Sequence, residues 1–539
     1  MNQQAIKEVC EQDTMHGLLR NIPNALYWGL PDYMRHQNVP ARSWQQNAVR
    51  KDTSAGAVLN ALETAYKCAV IAEHGKASDD DLTALAGYAE MVLEDHELEN
   101  NPWNVLIAGV EIPAVLSAIS SNNAKVRQLM SSAALLLNKS ADLLFDNEGV
   151  IKARYFPKYA AIVATWTRCF RALRSKQVNL KLKKRFVTTY EWSVRQLLLC
   201  STGRRSVTTL SADGEIKLAK PFVALMLELG GDISDKRLAN RLGFTQQKIS
   251  KQLPDHYLPD ATLHSSDSGV TVMRTGWGQK RREVYLRVDR HDLYIDVASG
   301  GRLLFQGNIR SELIIDGVTM PPLGSWEEVC WESDDDADYL ELEIRYSAGW
   351  KIQKHLLLTK DDKLLLTGDV VLNKDDRAQI QLKQKIQCAD GIKFFPAEEH
   401  SEGFVWSDNP EAMLIPLALS EWRTAIRNGK LDSEDGLIHY HLQADQASGL
   451  YAPLLFVLNG KSGLKEYTWR QLTIAEQLDI QPDDVASGYR IQIGKKQWLL
   501  YRSLTEFGNR TVLGQNYSSE FAFGEFREDG TVYEYVEIE

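Results

Sequence analysis

His264-Ser-Ser-Asp-Ser-Gly-Val-Thr-Val-Met-Arg-Thr-Gly-Trp277 stands where the chain changes its period. Pro254 and Pro259 precede it and bar a helix from running through. On its N-terminal side, from about residue 52 to 250, apolar residues recur at helical spacing. Val58, Leu62, Ala65, Tyr66 and Ala69 make one stripe, and Leu82, Leu85, Ala89, Val92 and Leu93 make another, each the buried face of an amphipathic helix. On its C-terminal side the period is two. Leu340-Glu-Leu-Glu-Ile-Arg-Tyr346 and Ile380-Gln-Leu-Lys-Gln-Lys-Ile386 alternate, which predicts half-buried strands.

Further helical patterns cover 105–120, 124–145, 159–175, 184–200, 219–230 and 234–253, a series of antiparallel helices joined by short polar turns. The first 50 residues carry Pro23, Pro31 and Pro40 and read as an arm with one or two short helices. Strand patterns continue through Val270–Met273, Val284–Val288, Leu293–Val297, Leu364–Val371 and Tyr489–Ile493. The expectation is a multidomain α+β protein: a helical domain over 1–260 and an antiparallel β-sandwich over 261–539.

The 539 residues are too many for one core, and 44% hydrophobic with 25% charged is the composition of a folded protein. A net charge of −10 argues against nucleic acid or an anionic membrane as the partner of the whole molecule. Six cysteines, Cys10, Cys68, Cys169, Cys200, Cys330 and Cys388, lie far apart without a C-x-x-C pair, so buried free thiols are expected rather than a zinc knuckle or disulfide framework. No signal peptide is legible and no run approaches a membrane span, which places the chain in the cytoplasm. No phosphate-cradling glycine loop and no G-x-S-x-G elbow occurs, which leaves nucleotide and serine-hydrolase readings without support.

Ser268 to Trp277 resembles the "S-G-x-x-V-M-R-x-x-W" entry into the sandwich of heparinase II/III-type polysaccharide lyases. Arg290-His-Asp292 and Gly300-Gly-Arg-Leu-Leu-Phe-Gln-Gly307 resemble that family's next two motifs. The resemblance implies an α/α toroid followed by a β-sandwich, and β-elimination on a uronic-acid glycan. A base removes the C5 proton, a neutral amide stabilises the carboxylate, and an acid protonates the leaving oxygen. It assigns the amide to Asn104, in Pro102-Trp-Asn-Val-Leu-Ile-Ala-Gly109, and the acid to Tyr159. Val105 and Arg290 stand where the family commonly has histidine. No cofactor is required by this chemistry; His291 and Asp292 are candidates for a structural divalent ion, zinc or calcium. Without the resemblance, Asn104 reads equally as a helix cap, Tyr159 as a packed helix residue, and Arg290 to Asp292 as polar residues at a strand edge.

Ten basic residues and one acidic residue between Arg171 and Arg205 give a local charge of 10 − 1 = +9. As a groove lining, this run would concentrate a polyanion; as a solvated face it needs no function. Arg154, Arg168, Lys181, Lys183, Lys184, Arg185, Arg204, Arg205 and Arg290 are the candidate substrate-binding residues. Residues 234–253 fit a helix-turn-helix with Gly243 in the turn, which taken alone points to DNA. His439 and His441 share a strand face and, with Asp445, are a further metal candidate; paired surface histidines are the plainer reading. The acidic stretch Glu332 to Glu343 reads as a solvated strand edge and turn. The leading expectation is β-elimination or recognition of an acidic glycan. A non-catalytic glycan-binding or scaffold protein comes second and a DNA-binding regulator third.

Overall fold

The computed structural model describes residues 48, 50–72, 78–173, 182–203, 206–211, 214–245, 258–425, 428–460, 465–506 and 508–539. The chain divides into two compact units, Met1–Thr209 with Glu215–Asp260, and Leu210–Gly214 with Ala261–Glu539. The proline-bearing arm lies outside the described residues.

In the first unit the helices are α1 (Ala55–Ala72), α2 (Asp79–Asp95), α3 (Pro102–Leu106), α4 (Ile112–Ile119), α5 (Ala124–Leu144), α6 (Tyr159–Leu173), α7 (Lys184–Leu199), α8 (Lys220–Gly230) and α9 (Ile233–Arg241). Their starts are chemically marked. Ser78 caps α2 by accepting from the Asp81 N–H, with Asp79 to Asp81 set against the positive end of the helix dipole. Asn123 caps α5 by accepting from the Lys125 and Val126 N–H groups. A small three-stranded sheet, Ser201–Gly203, Ser206–Thr208 and Glu215–Lys217, interrupts the helices after α7. Its three-residue strands are too short to show a period in the sequence.

Between α3 and α4, Ile107–Glu111 form a π-helical turn. This whole stretch, Pro102–Ile119, is long and apolar enough to cross a membrane, contrary to the expectation that no run comes close, and 83% of it is buried in the helical core. Gly109 lies in that turn, where a Cβ would come within 2.4 Å of Leu136 and 3.1 Å of Leu93. The glycine lets α2 and α5 close on the turn.

In the second unit, an eight-stranded antiparallel sheet runs Glu327–Ser333, Ala337–Arg345, Lys351–Thr359, Leu364–Leu372, Gly449–Val457, Pro410–Pro416, Gly403–Trp406, Lys393–Pro396. One of its faces shares a core with the C-terminal five-stranded sheet, through Tyr339, Leu357, Leu366, Leu455, Leu500 and Phe523 among others. The opposite face carries Leu340, Leu342, Leu356 and Phe456, all buried, with Phe305 packed edge-on to Phe456. Covered on both sides, the central strands are buried along nearly their whole length, as in Lys351–Thr359 and Gly449–Val457, the first of which buries Gln353, Lys354 and His355 among its apolar residues.

Two expectations are corrected by this arrangement. The strand Ala337–Arg345 is buried on both faces rather than half-buried. Within the acidic stretch, Asp338 and Glu341 are buried rather than solvated. Glu341 is bound by both Nη atoms of Arg502, at 3.0 and 2.8 Å, and by the Tyr339 hydroxyl. A carboxylate is tolerated there because each oxygen has a donor.

Candidate active site

Asn104 belongs to a hydrogen-bonded cluster of polar groups in the helical unit. Asn101 occupies the cap position of α3, and its side chain makes no cap bond. It reaches back instead, with Nδ2 3.0 Å from Nδ1 of His96. Nε2 of His96 lies 2.9 Å from the Thr53 carbonyl, which only accepts, so Nε2 donates and Nδ1 takes the Asn101 hydrogen. Asn104 Nδ2 donates to the same Thr53 carbonyl at 3.1 Å, and the Thr53 hydroxyl donates to Asp95. Asn104 is therefore not a cap. It sits inside the helix and ties α3 to the segment preceding α1.

A second loop supplies the cationic and phenolic groups. Asp146 Oδ1 accepts from the Glu148 and Val150 N–H groups, and Gly149, at φ 72°, passes so close to α7 that a Cβ would sit 2.5 Å from that of Trp192. The chain then forms a 3-10 helix, Ala153–Lys158, that carries Arg154 and Tyr155 to the loop between α2 and α3. Arg154 pairs with Glu99 at 3.0 Å, and the Tyr155 hydroxyl donates to the Glu99 carbonyl at 3.0 Å. The guanidinium lies 4.9 Å from the centre of the Tyr155 ring. Burial raises the Tyr155 pKa, with the Arg154 charge working against it. His96 keeps 17% of its side chain exposed and Arg154 47%, so solvent reaches the cluster.

Tyr159 is placed differently from expectation. It is 1% exposed, packs against Phe145 and Phe156, and donates its hydroxyl to the Ser193 carbonyl at 2.9 Å. Burial raises its pKa well above the ordinary value. It is a core residue whose proton is already committed. Arg168 is likewise a core residue: Nε and Nη2 clamp Glu111 at 2.6 and 3.2 Å, and the Tyr66 hydroxyl donates to the same carboxylate at 2.9 Å. No ligand reaches a guanidinium 4% exposed.

Three of the ten basic residues are paired with carboxylates distant in sequence, and Arg174 and Lys176 lie outside the described residues. Arg171 pairs with Glu228 at 3.5 Å, Arg185 with Asp142, and Arg195 with Asp232 at 2.6 Å and Asp235 at 2.8 Å. Lys183 and Lys184 remain exposed. Lys181, Arg204 and Arg205 lie outside the described residues. Of the helix-turn-helix pattern, the structure describes α9, opened by the reciprocal Asp232 and Asp235 capping box and followed by Gly243 at φ 82°; its second helix falls at 246–253, outside the described residues.

Arg290 and His291 are the two turn residues of the hairpin joining Arg282–Asp289 to Asp292–Ser299, with Arg290 at φ 59°. Both are exposed, and Asp292 accepts from Asn308 at 2.8 Å. A tight turn throws the Arg290 and His291 side chains outward and explains the spacing that looked like a ligand motif. No group of three or more His, Cys, Asp or Glu side chains poised for a metal ion occurs among the described residues, Asp445 with His439 and His441 included.

His96, Asn101 and Tyr155 were passed over in the sequence because each looks ordinary alone. The available signal was the polar run His96 to Asn101 set between two apolar helices, where a loop needs only a few residues.

The fold is similar to that of solved heparinase III structures. Heparan sulfate lyase HepC from Pedobacter heparinus matches with a TM-score of 0.60 and 13% identity, covering 86% of this chain and 78% of that one. A heparinase III gene product with methylated lysines matches at 0.62 and 12%, covering 90% and 78%, and a further heparinase III structure at 0.61 and 11%, covering 83% and 75%. By sequence, no family model and no curated protein matches the chain.

Proposed function

We propose that this protein is a polysaccharide lyase that cleaves a uronic-acid-containing glycan by β-elimination, its helices forming an incomplete α/α toroid and its sheets a β-sandwich. The observation that carries the reading is the bonded set Thr53, His96, Asn101 and Asn104, with Arg154 and Tyr155 over the same loop.

Arg154, released from exposed Glu99, binds a substrate carboxylate. Asn101 swings its amide from His96 to the carboxylate of the reacting sugar, where it stabilises the charge that develops as C5 loses its proton. That movement frees Nδ1 of His96, which takes the C5 proton; the electron pair forms the C4–C5 double bond and the C4–O bond breaks. Tyr155, whose hydroxyl must first turn from the Glu99 carbonyl, gives its proton to the leaving oxygen. Asn104 holds the Thr53 carbonyl that orients His96. None of these proton transfers requires a metal.

The test is incubation with a panel of uronic-acid polysaccharides while following the ultraviolet absorbance of the unsaturated product. His96→Ala is expected to lower the rate by about 10²-fold or more with the melting temperature retained. If the native protein yields product from no member of the panel and still binds one, the non-catalytic glycan-binding reading replaces this one. The burial of Tyr159 in the helical core, with its hydroxyl on the Ser193 carbonyl, is what supports that second reading.

A further inference from the structure

A five-stranded sheet of the β unit runs Val318–Met320, Arg310–Ile315, Ala378–Gln387, Leu437–Ala447, Gly429–Glu434. Its inner face is apolar, with Leu313, Leu382, Ile386, Ile438 and Leu442 all buried. Its register decides what the outer face presents. Lys383 lies opposite His441, and His441 opposite Lys430. Lys385 lies opposite His439, and Gln381 opposite Gln443, while Glu312 lies opposite Lys383 and Asp432 opposite His439. Residues two apart along a strand share a face, so all nine point the same way, in rows about 7 Å apart on strands about 5 Å apart, with three lysines against two carboxylates.

Lys430 pairs with Asp432 at 2.6 Å, whereas Lys383 and Lys385 have no ion pair or hydrogen bond among the described residues. Nε2 of His441 is buried without a hydrogen-bond partner. Burial, and then the charges of Lys383 and Lys430, hold this imidazole below its ordinary pKa, so it faces the lysines uncharged. An anion with hydroxyls beside it, laid along the rows, would pair the free lysines and give the His441 nitrogen a partner.

We propose that this face is a second binding site, for a segment of an anionic polysaccharide bearing carboxylate or sulfate groups. Lys383, Lys385 and Lys430 meet the anions; His439, His441, Gln381 and Gln443 meet sugar hydroxyls. The choice of a polysaccharide rests on the lyase reading, while the site itself uses none of the eliminating residues.

The test compares two triple variants of the full chain with equal charge change: K383S/K385S/K430S, and K374S/K465S/K495S at exposed lysines elsewhere in the unit. Binding of labelled heparin and hyaluronan is titrated at about 0.15 M salt, where charges farther apart than about 8 Å are screened. The face variant is expected to bind about tenfold more weakly with a shallower salt dependence, and the control within about twofold of native. His441→Gln should weaken binding with no change in that salt dependence. Equal losses in the two triples overturn the proposal, as does tighter binding of duplex DNA than of heparin. A selective loss without unsaturated product leaves this site standing and removes the elimination. Product formation with equal losses does the reverse.

Discussion

Ala337–Arg345 and Ala378–Gln387 carry the same alternation of apolar and charged residues, and they end in opposite environments. In the second, every other residue reaches solvent, and its Lys383 and Lys385 stand on the open face. In the first, the alternate residues Glu341 and Glu343 turn toward a second sheet, and Glu341 is 1% exposed. A period of two says which residues share a face. What covers that face is set by strands more than 100 residues away, where Arg502 supplies the countercharge. The same lesson holds in the helical unit: Arg168 and Arg195 belong to similar amphipathic helices, but only Arg168 is sealed in the core, against Glu111.

The contrast breaks hardest at Glu341. Glu341→Ala leaves the Arg502 charge buried without its main partner and is expected to cost about 3–5 kcal/mol in denaturant unfolding. Replacing the pair together, Glu341→Leu with Arg502→Met, is expected to recover most of that loss, because two apolar groups need no counterion. Recovery of less than half would show that the pair also fixes the register.

His355 gives the next effect. It lies in the same core, fully buried, beside the Tyr451 hydroxyl at 3.0 Å. Burial, and then the charges of Arg502 and Lys354, press its pKa well below the ordinary value. The unfolded chain takes up a proton near pH 6.5 that the folded one refuses, so stability falls as pH drops below that point. The slope from this residue approaches about 1.4 kcal/mol per pH unit. His355→Phe should flatten the curve below pH 6.5 by that amount, read as the difference between the two proteins' unfolding free energies across pH. The smallest effect belongs to the open strand: Lys385→Ala should shift stability by no more than about 0.5 kcal/mol.

The helices were legible nearly to the residue. The patterns at 124–145, 159–175, 184–200 and 219–230 correspond to Ala124–Leu144, Tyr159–Leu173, Lys184–Leu199 and Lys220–Gly230. The site was legible only at Asn104 and Arg154. Tyr159 opens α6 with its hydroxyl on the Ser193 carbonyl in the core, whereas Tyr155, in the preceding 3-10 helix, reaches the Glu99 carbonyl of the loop. The charge sum over 171–205 counts sequence neighbours only and leaves out Asp142, Glu228, Asp232 and Asp235, which pair with Arg185, Arg171 and Arg195.

By itself the sequence determined the change from helices to strands at the Pro254 to Trp277 junction and which residues share each face, because these depend on neighbours within a few positions. Tertiary structure decided which faces are covered, which charges are neutralised and which polar groups meet around His96. Each of those depends on groups from distant segments arriving within about 3 Å, a distance that no local period encodes.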